Sequence, residues 1–466
     1  MRYFLSILIF INAVFALEFS VKENGKSLDD NNTVLILGGI QGDEPGGFHA
    51  ASLLLSDYNI TKGKIIVAPN LAFESIIARN RGNFGDLNRK FAHIDENDPD
   101  FHTIERIKKL ILDPEVNMVI NLHDGSGFYR PQYESKDKNP NRWGNTSIID
   151  QSEVNSTKYA DLESIAKEAV ENINKALVKE EHQYHLKNTK TQESNDKDML
   201  KALTYFVVSN HKAAFANEAS KNLPTHLRVY YHLLAVEYYL KKANIEFQRT
   251  FELTPNGVYR AIEKPLEVRL FNDKILLYLD KPANRVNFLP FPTNQALNYE
   301  ASNEITAVIS NANSYSVNYG NRLQTRLYPE YFEFSNALDS VEMIVDGKNI
   351  QTNFAQKIMV KNSFKIPSIV GVRVNVIGFD RGNDESGIEI SKNQMQSRYS
   401  LDKKRKIYRV EFYELKNANL ADQALEKKTN FKEIKKANIP AKAIEKAIEK
   451  AEEKDKFIGM ILVEFQ

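Results

Sequence analysis

Along the first half of the chain, short runs of consecutive apolar residues alternate with stretches whose apolar positions return every third or fourth residue. The first kind reads as buried strand and the second as amphipathic helix, because side chains repeat with different periods in the two structures. Residues 33–40 (TVLILGGI), 64–68 (KIIVA) and 116–122 (VNMVINL) are predicted strands; the first ends in glycines and the second is closed by Pro69. Residues 205–209 and 213–216 read as two further strands. Helices are predicted over 45–56, 101–112, 158–178 and 224–240; the second carries Ile104, Ile107, Leu110 and Ile111 as its apolar positions. Strands alternating with helices predict an α/β unit built on a parallel or mixed sheet.

After about residue 242 the pattern changes. Short β-rich runs separated by turns follow: VYRAI, LEVRLF, KILLYL and EITAVIS within 245–327, then VEMIVDG, GVRVNVIGF, KIYRVEFYEL and FIGMILVEF from 332 to the end. These read as two small all-β modules, the last of them immunoglobulin-like. A Lys/Glu/Ala-rich stretch over 417–455 reads as a charged, solvated helix inserted before the last strand. The expected units are 1–16, 17–244, 245–331 and 332–466.

The leading unit reads as a targeting segment, with a retained membrane anchor or a buried first strand as the alternative. Arg2 precedes an almost wholly apolar run over 4–14, and Val14 and Ala16 supply the small residues that a signal peptidase requires. Cleavage is expected after Ala16, and the run is short for a membrane span. Export of a chain without cysteine means that a large core, not disulfides, must hold it together. A formal net charge of +1 gives no global footprint for nucleic acid.

Ligands of open α/β sheets bind where strands end, and three strand ends here carry polar groups. In LILGGIQGDEPGG, Gln41 and Glu44 flank a tight turn, so an amide oxygen and a carboxylate can converge on one ion; alone, the pair is almost as well a polar loop with an N-capping acid. In VINLHDGSG, His123 leaves the end of a buried strand; a lone histidine there is more often structural, but with Gln41 and Glu44 it makes the three protein ligands usual for a catalytic zinc. In AAFANEAS, Glu218 follows small apolar residues, placed either as a general base or as an ordinary surface acid. A fourth segment, ARNRGNFGDLNRK, gathers Arg79, Arg81, Asn88 and Arg89, a set suited to holding a carboxylate or to forming a basic surface loop.

The stretches QGDE, GDLNR, NLHDG and FANEA, in this order over residues 30–240, resemble the zinc carboxypeptidases of the M14 metallopeptidase family. That family has a His-x-x-Glu pair after a strand, an Asp-x-Asn-Arg loop, a distant third histidine and a late catalytic glutamate. Gln41 stands where the first histidine would be, and an amide oxygen is the poorer zinc donor. A glutamine ligand, a signal peptide and two trailing β modules are similar to a narrower group, the cell-shape-determining peptidoglycan DL-carboxypeptidases of helical bacteria.

The resemblance implies a mixed-sheet α/β zinc carboxypeptidase domain over 17–244, followed by two small all-β domains. It implies a periplasmic enzyme that trims muramyl tripeptide to dipeptide by releasing meso-diaminopimelate, with no nucleic-acid partner and no stable membrane insertion. It implies Zn2+ held by Gln41, Glu44 and His123, Glu218 as general base and Arg81 as oxyanion stabiliser. Asn88 and Arg89 would hold the terminal carboxylate of the leaving residue. Choosing Arg81 over Arg79 follows the resemblance. The loop over 129–146, with Arg130, Arg142 and Trp143, is expected to wall the diaminopimelate pocket, and Thr204, expected at a strand start, to add a hydroxyl. Two other readings compete: a zinc acylase on the same scaffold, which the signal peptide disfavours, and a non-catalytic wall-binding scaffold.

Overall fold

A computed structural model describes residues 17–26, 32–416 and 454–466. The signal segment over 1–16 and nearly all of the Lys/Glu/Ala-rich stretch lie outside the described residues.

Among the described residues, the N-terminal part holds ten strands: β1 (Lys22–Lys26), β2 (Thr33–Gly38), β3 (Tyr58–Ala68), β4 (Val116–Gly125), β5 (Phe128–Tyr129), β6 (Lys138–Asn139), β7 (Thr146–Ile149), β8 (His185–Asn188), β9 (Ala213–Ser220) and β10 (Glu246–Arg249). Eight of them form one sheet in the order β1-β3-β2-β4-β9-β7-β8, with β10 also pairing with β3, while β5 and β6 make a separate ribbon. The neighbours β3, β2, β4 and β9 run parallel, whereas β7 is antiparallel to β9, so the sheet is mixed. Every residue of β2 is buried, and β4 is buried along nearly its whole length. A continuous apolar run fits a strand covered on both faces.

Among the described residues, eight α-helices accompany it: α1 (Pro45–Ser56), α2 (Phe73–Ala78), α3 (Phe101–Leu112), α4 (Leu162–Asn174), α5 (Thr191–Ser194), α6 (Leu203–Ser209), α7 (Thr225–Lys242) and α8 (Pro255–Ile262). Helix α7 packs between α1 and α4. In α3, Ile104, Ile107 and Ile111 face the core.

Three expectations are corrected. Residues 203–209 form a helix, not a strand: Leu203, Thr204, Val207 and Val208 are buried at helical spacing, and the Asn88 side chain accepts from the Leu203 amide at 2.9 Å. Thr204 therefore stands in the first turn of a helix. VYRAI is also helical, because Thr254 caps Gly257 and Pro255 occupies the first turn of α8. The helix expected over 158–178 is shortened to α4, where the Asp161 carboxylate accepts from Ser164 and sets the start.

The rest is β structure. Strands β11 (Leu266–Leu270), β12 (Ile275–Leu279) and β14 (Tyr299–Ala301) form one sheet; β13 (Arg285–Pro292), β15 (Thr306–Asn311), β16 (Ser314–Tyr319) and β17 (Arg322–Phe332) form another. Strands β18 (Ser340–Val345), β19 (Lys348–Asn353), β21 (Ser363–Lys365) and β23 (Ile390–Ser391) face a sheet of β20 (Lys357–Val360), β22 (Val372–Val376), β24 (Ile407–Glu414) and β25 (Lys456–Phe465) across a core containing Val341, Phe364, Val374 and Ile461. The first core takes in Val258, Ala261 and Ile262 of α8, beyond residue 244. Another core joins Leu289, Phe291 and Leu327 to Phe457, Met460 and Leu462, so the two β modules pack through shared apolar side chains.

Candidate active site

The parallel strands deliver their polar ends to one place. After β2, Gly39 turns the chain with φ of +70°, a conformation that L side chains rarely adopt, and Gln41 and Glu44 follow before α1 begins at Pro45. His123 ends the apolar part of β4 and is the register partner of Glu218 on β9. Gly125 lets the next loop close in: a Cβ there would meet the backbone of Trp143 and Gly144 at 2.6 Å.

Three lone-pair donors converge. His123 Nδ1 lies 3.2 Å from Gln41 Oε1 and 3.0 Å from Glu44 Oε2. Two ligands of a tetrahedral zinc at ~2.0–2.1 Å are themselves roughly 3.3 Å apart, so these spacings fit one ion. Among the described residues no three His, Cys, Asp or Glu side chains form such a group; here the third donor is an amide.

Each donor is held from behind. The Gln41 amide donates to both oxygens of Asp86, at 2.8 and 3.0 Å, which leaves its carbonyl oxygen turned to His123. Glu44 Oε2 also accepts from the Asp124 amide at 3.0 Å. His123 Nε2 sits 2.7 Å from the Asn121 amide, whose buried Oδ1 has no hydrogen-bond partner among the described residues. Turning that amide over puts Oδ1 on a protonated Nε2 and frees Nδ1 as a ligand, the usual outer arrangement of a metal-bound histidine.

The electrostatics favour positive charge at this point. Burial pulls the His123 imidazole down, but the hydrogen bond and charge of Glu44, with Glu218 and Asp86 behind, push it above its usual pKa. Burial raises the Glu218 carboxyl to about 8, opposed by His123 and reinforced by Glu44 and Asp124. Asp86 behaves oppositely: burial would raise it, yet the Gln41 amide and the Arg81 and Arg89 guanidinia hold it below the usual carboxylate range.

A cavity of 220 Å³ is lined by nine of the residues singled out from the sequence: Gln41, Glu44, Arg81, Asn88, Arg89, His123, Trp143, Thr204 and Glu218. Arg81 Nε donates to Asp86 at 2.8 Å, and its Nη1 lies 3.6 Å from Glu44. One carboxylate thus orients both the amide donor and this arginine. Asn88 spends its carbonyl oxygen on Leu203, so its NH2 group remains the available donor.

Some expectations part company with the structure. Arg130 is buried among the carbonyls of Tyr129, Glu181 and Gln183, and Arg142 binds the carbonyl of Lys136; of that loop, Trp143 lines the cavity and those two arginines do not. Arg79 turns away and donates to the Asn321 carbonyl. Three residues went unremarked in the sequence. Lys221 lines the cavity, paired with Asp43 at 2.6 Å and 3.5 Å from Glu44. Lys187 stacks on Trp143, 3.7 Å from the ring centre. Asn121 could have been found, since it shares a face with His123 in a largely apolar strand.

Comparison with known proteins bears on this geometry. Residues 1–263 match the family described as carboxypeptidase controlling helical cell shape, catalytic, and residues 334–466 match the C-terminal domain of metallo-carboxypeptidases. No curated protein matches the chain. Among solved structures, the tripeptide-bound form of the cell shape determinant Csd4 from Helicobacter pylori is 38% identical, with 96% of this chain and 100% of that chain covered and a TM-score of 0.81. The mDAP-bound form of that protein, described as a D,L-carboxypeptidase, gives the same values. Its glutamine-to-histidine variant gives a TM-score of 0.80 at the same identity and coverage.

Proposed function

The chain belongs to the family of metallo-carboxypeptidases that control helical cell shape, and from that premise we propose that it is a zinc DL-carboxypeptidase of peptidoglycan. It would trim muramyl tripeptide to dipeptide by releasing meso-diaminopimelate, in the periplasm after export. Membership of a carboxypeptidase family sets aside the acylase and the non-catalytic scaffold. Among the described residues no helix is long and apolar enough to cross a membrane. The observation that carries the proposal is the convergence of Gln41 Oε1, Glu44 Oε2 and His123 Nδ1 beside Glu218.

Gln41, Glu44 and His123 are the residues that would hold zinc, which when bound acidifies a water and polarises a carbonyl. Glu218 takes the proton of the attacking water and hands it to the leaving amine. Its burial serves this role, because a base with a raised pKa both accepts and returns a proton near neutral pH. Arg81, pinned by Asp86, offers its guanidinium to the oxyanion. The Asn88 amide and the Arg89 guanidinium bind the terminal carboxylate, which makes cleavage exopeptidic. Trp143 and Thr204 wall the space for the leaving residue.

Digestion of muramyl tripeptide with and without chelator, read by mass spectrometry, tests the proposal. Release of diaminopimelate that stops with chelator and returns with zinc is the expected result. Retention of intact tripeptide by the zinc-loaded protein would refute the substrate assignment.

A further inference from the structure

A second cavity, of 420 Å³, opens between the two β modules. Its walls come from β13 and β17 on one side and from β22, β24 and the two residues just before β25 on the other. Two features there cost stability and are not needed to close either core.

The first is Phe288. It is bulged out of β13, where the register with β17 slips between Asn287 and Leu289. Its backbone is left-handed at φ +53°, an outlier for a bulky side chain, and its ring is 67% exposed at the cavity. The buried Arg409 guanidinium pins this bulge, donating to the carbonyls of Phe288 and Asn287 at 3.3 and 3.1 Å.

The second is Glu411, 1% exposed on the interior strand β24 and lining the cavity. Its Oε2 accepts from the Tyr413 hydroxyl at 2.7 Å. Its Oε1 lies 3.2 Å from Arg409 Nη1 but accepts no hydrogen bond among the described residues. The same arginine therefore holds an exposed aromatic platform and a buried acceptor in fixed relation. Arg409 gives this oxygen a charged neighbour but no hydrogen bond, so it can still accept one from a ligand.

The rest of the lining narrows the ligand. Arg373 pairs with Asp455 at 2.9 Å and Lys454 pairs with Glu330, so these charges cancel, as those of Arg409 and Glu411 do. Arg373 lies 4.4 Å from the Tyr413 ring centre and Lys454 4.7 Å from that of Phe332, each covering its aromatic face. A balanced set of polar groups beneath one free aromatic ring suits a neutral ligand with an apolar face and many hydroxyl donors.

We propose that this cavity binds a saccharide, one sugar ring lying on Phe288 and a hydroxyl or amide donor reaching Glu411 Oε1. The site is separate from the catalytic cavity and does not rest on the catalytic reading. The test is calorimetric titration of the full-length protein with chitotetraose, a peptide-free β-linked oligosaccharide that offers nothing to a carboxypeptidase. Saturable binding is expected, weakened about fivefold to tenfold in Phe288→Gly, which keeps the left-handed backbone and removes the ring. Glu411→Gln, checked for folding by its melting curve, should weaken it as well. Absence of saturable binding, or equal affinity in Phe288→Gly, overturns the proposal. So does saturation of the same cavity by a diamine such as cadaverine in place of the sugar.

Discussion

Glu218 and Glu411 invite comparison. Each is carried by an interior strand, β9 or β24, and burial pushes the pKa of each up. Their neighbours differ in arrangement. Beside Glu218, the His123 imidazole nitrogen has an amide oxygen at 3.2 Å and a second carboxylate oxygen at 3.0 Å, so lone pairs outnumber the protons that could sit between them. Around Glu411, each carboxylate has a guanidinium or ammonium partner. Burial alone does not say what a pocket holds. An excess of converging donors calls for a cation, whereas a balanced set accepts a neutral polar ligand.

The largest test of this contrast is Glu218→Gln. We expect kcat to fall about 10²–10⁴-fold with bound zinc retained, read by tripeptide turnover and elemental analysis. Turnover near the parent rate would remove Glu218 from the proton path.

Asp86→Ala comes next. Without Asp86 the Gln41 amide is free to rotate, so zinc affinity should drop about 10–100-fold in a chelator competition assay. Gln41→His should keep the site filled and Gln41→Ala should not. Unchanged affinity in Asp86→Ala would mean that the amide is oriented by something else.

The pH profile should separate the two pockets. A base works deprotonated, so raising its pKa moves the acid limb of kcat/KM upward, above the ordinary carboxylate value of ~4.3. A bound dication pulls the limb down, which places it below about 8. A limb in the ordinary range would show that burial does not tune Glu218.

The smallest effect belongs to Glu411. Burial raises its folded pKa, with Arg409 and Tyr413 opposing. Such a carboxyl favours folding when protonated: its contribution is complete below the unfolded pKa and is lost as pH rises through the folded one. Glu411→Gln should therefore flatten the fall of Tm with rising pH by about 2–4 °C, with tripeptide turnover unchanged. A change in turnover would mean that the two pockets are coupled.

Several features were legible in the residues alone. The apolar runs that became β2, β4 and β9 were readable because a doubly covered strand is apolar along most of its length, with polar residues gathered toward its end in β4 and β9. The ligand candidates stood out because Gln41, Glu44 and His123 interrupt or end such runs beside glycines. The starts of α6 and α8 differ in how far they could be read. Thr254-Pro255 is a helix start written in the sequence, whereas the Asn88 contact that starts α6 spans 115 positions.

The sequence by itself determined which side chains sit at strand ends and which faces are apolar, because backbone period and burial are local properties. Tertiary structure decided how those ends meet. Asp86 reaches Gln41 across 45 positions, Glu44 reaches the Asp124 amide across 80 and Lys221 reaches Asp43 across 178. It also decided that Arg81 and not Arg79 faces the cavity, and that Arg409 joins Phe288 to Glu411. No periodicity records such pairings, since they follow from how the sheets pack and not from any spacing along the chain.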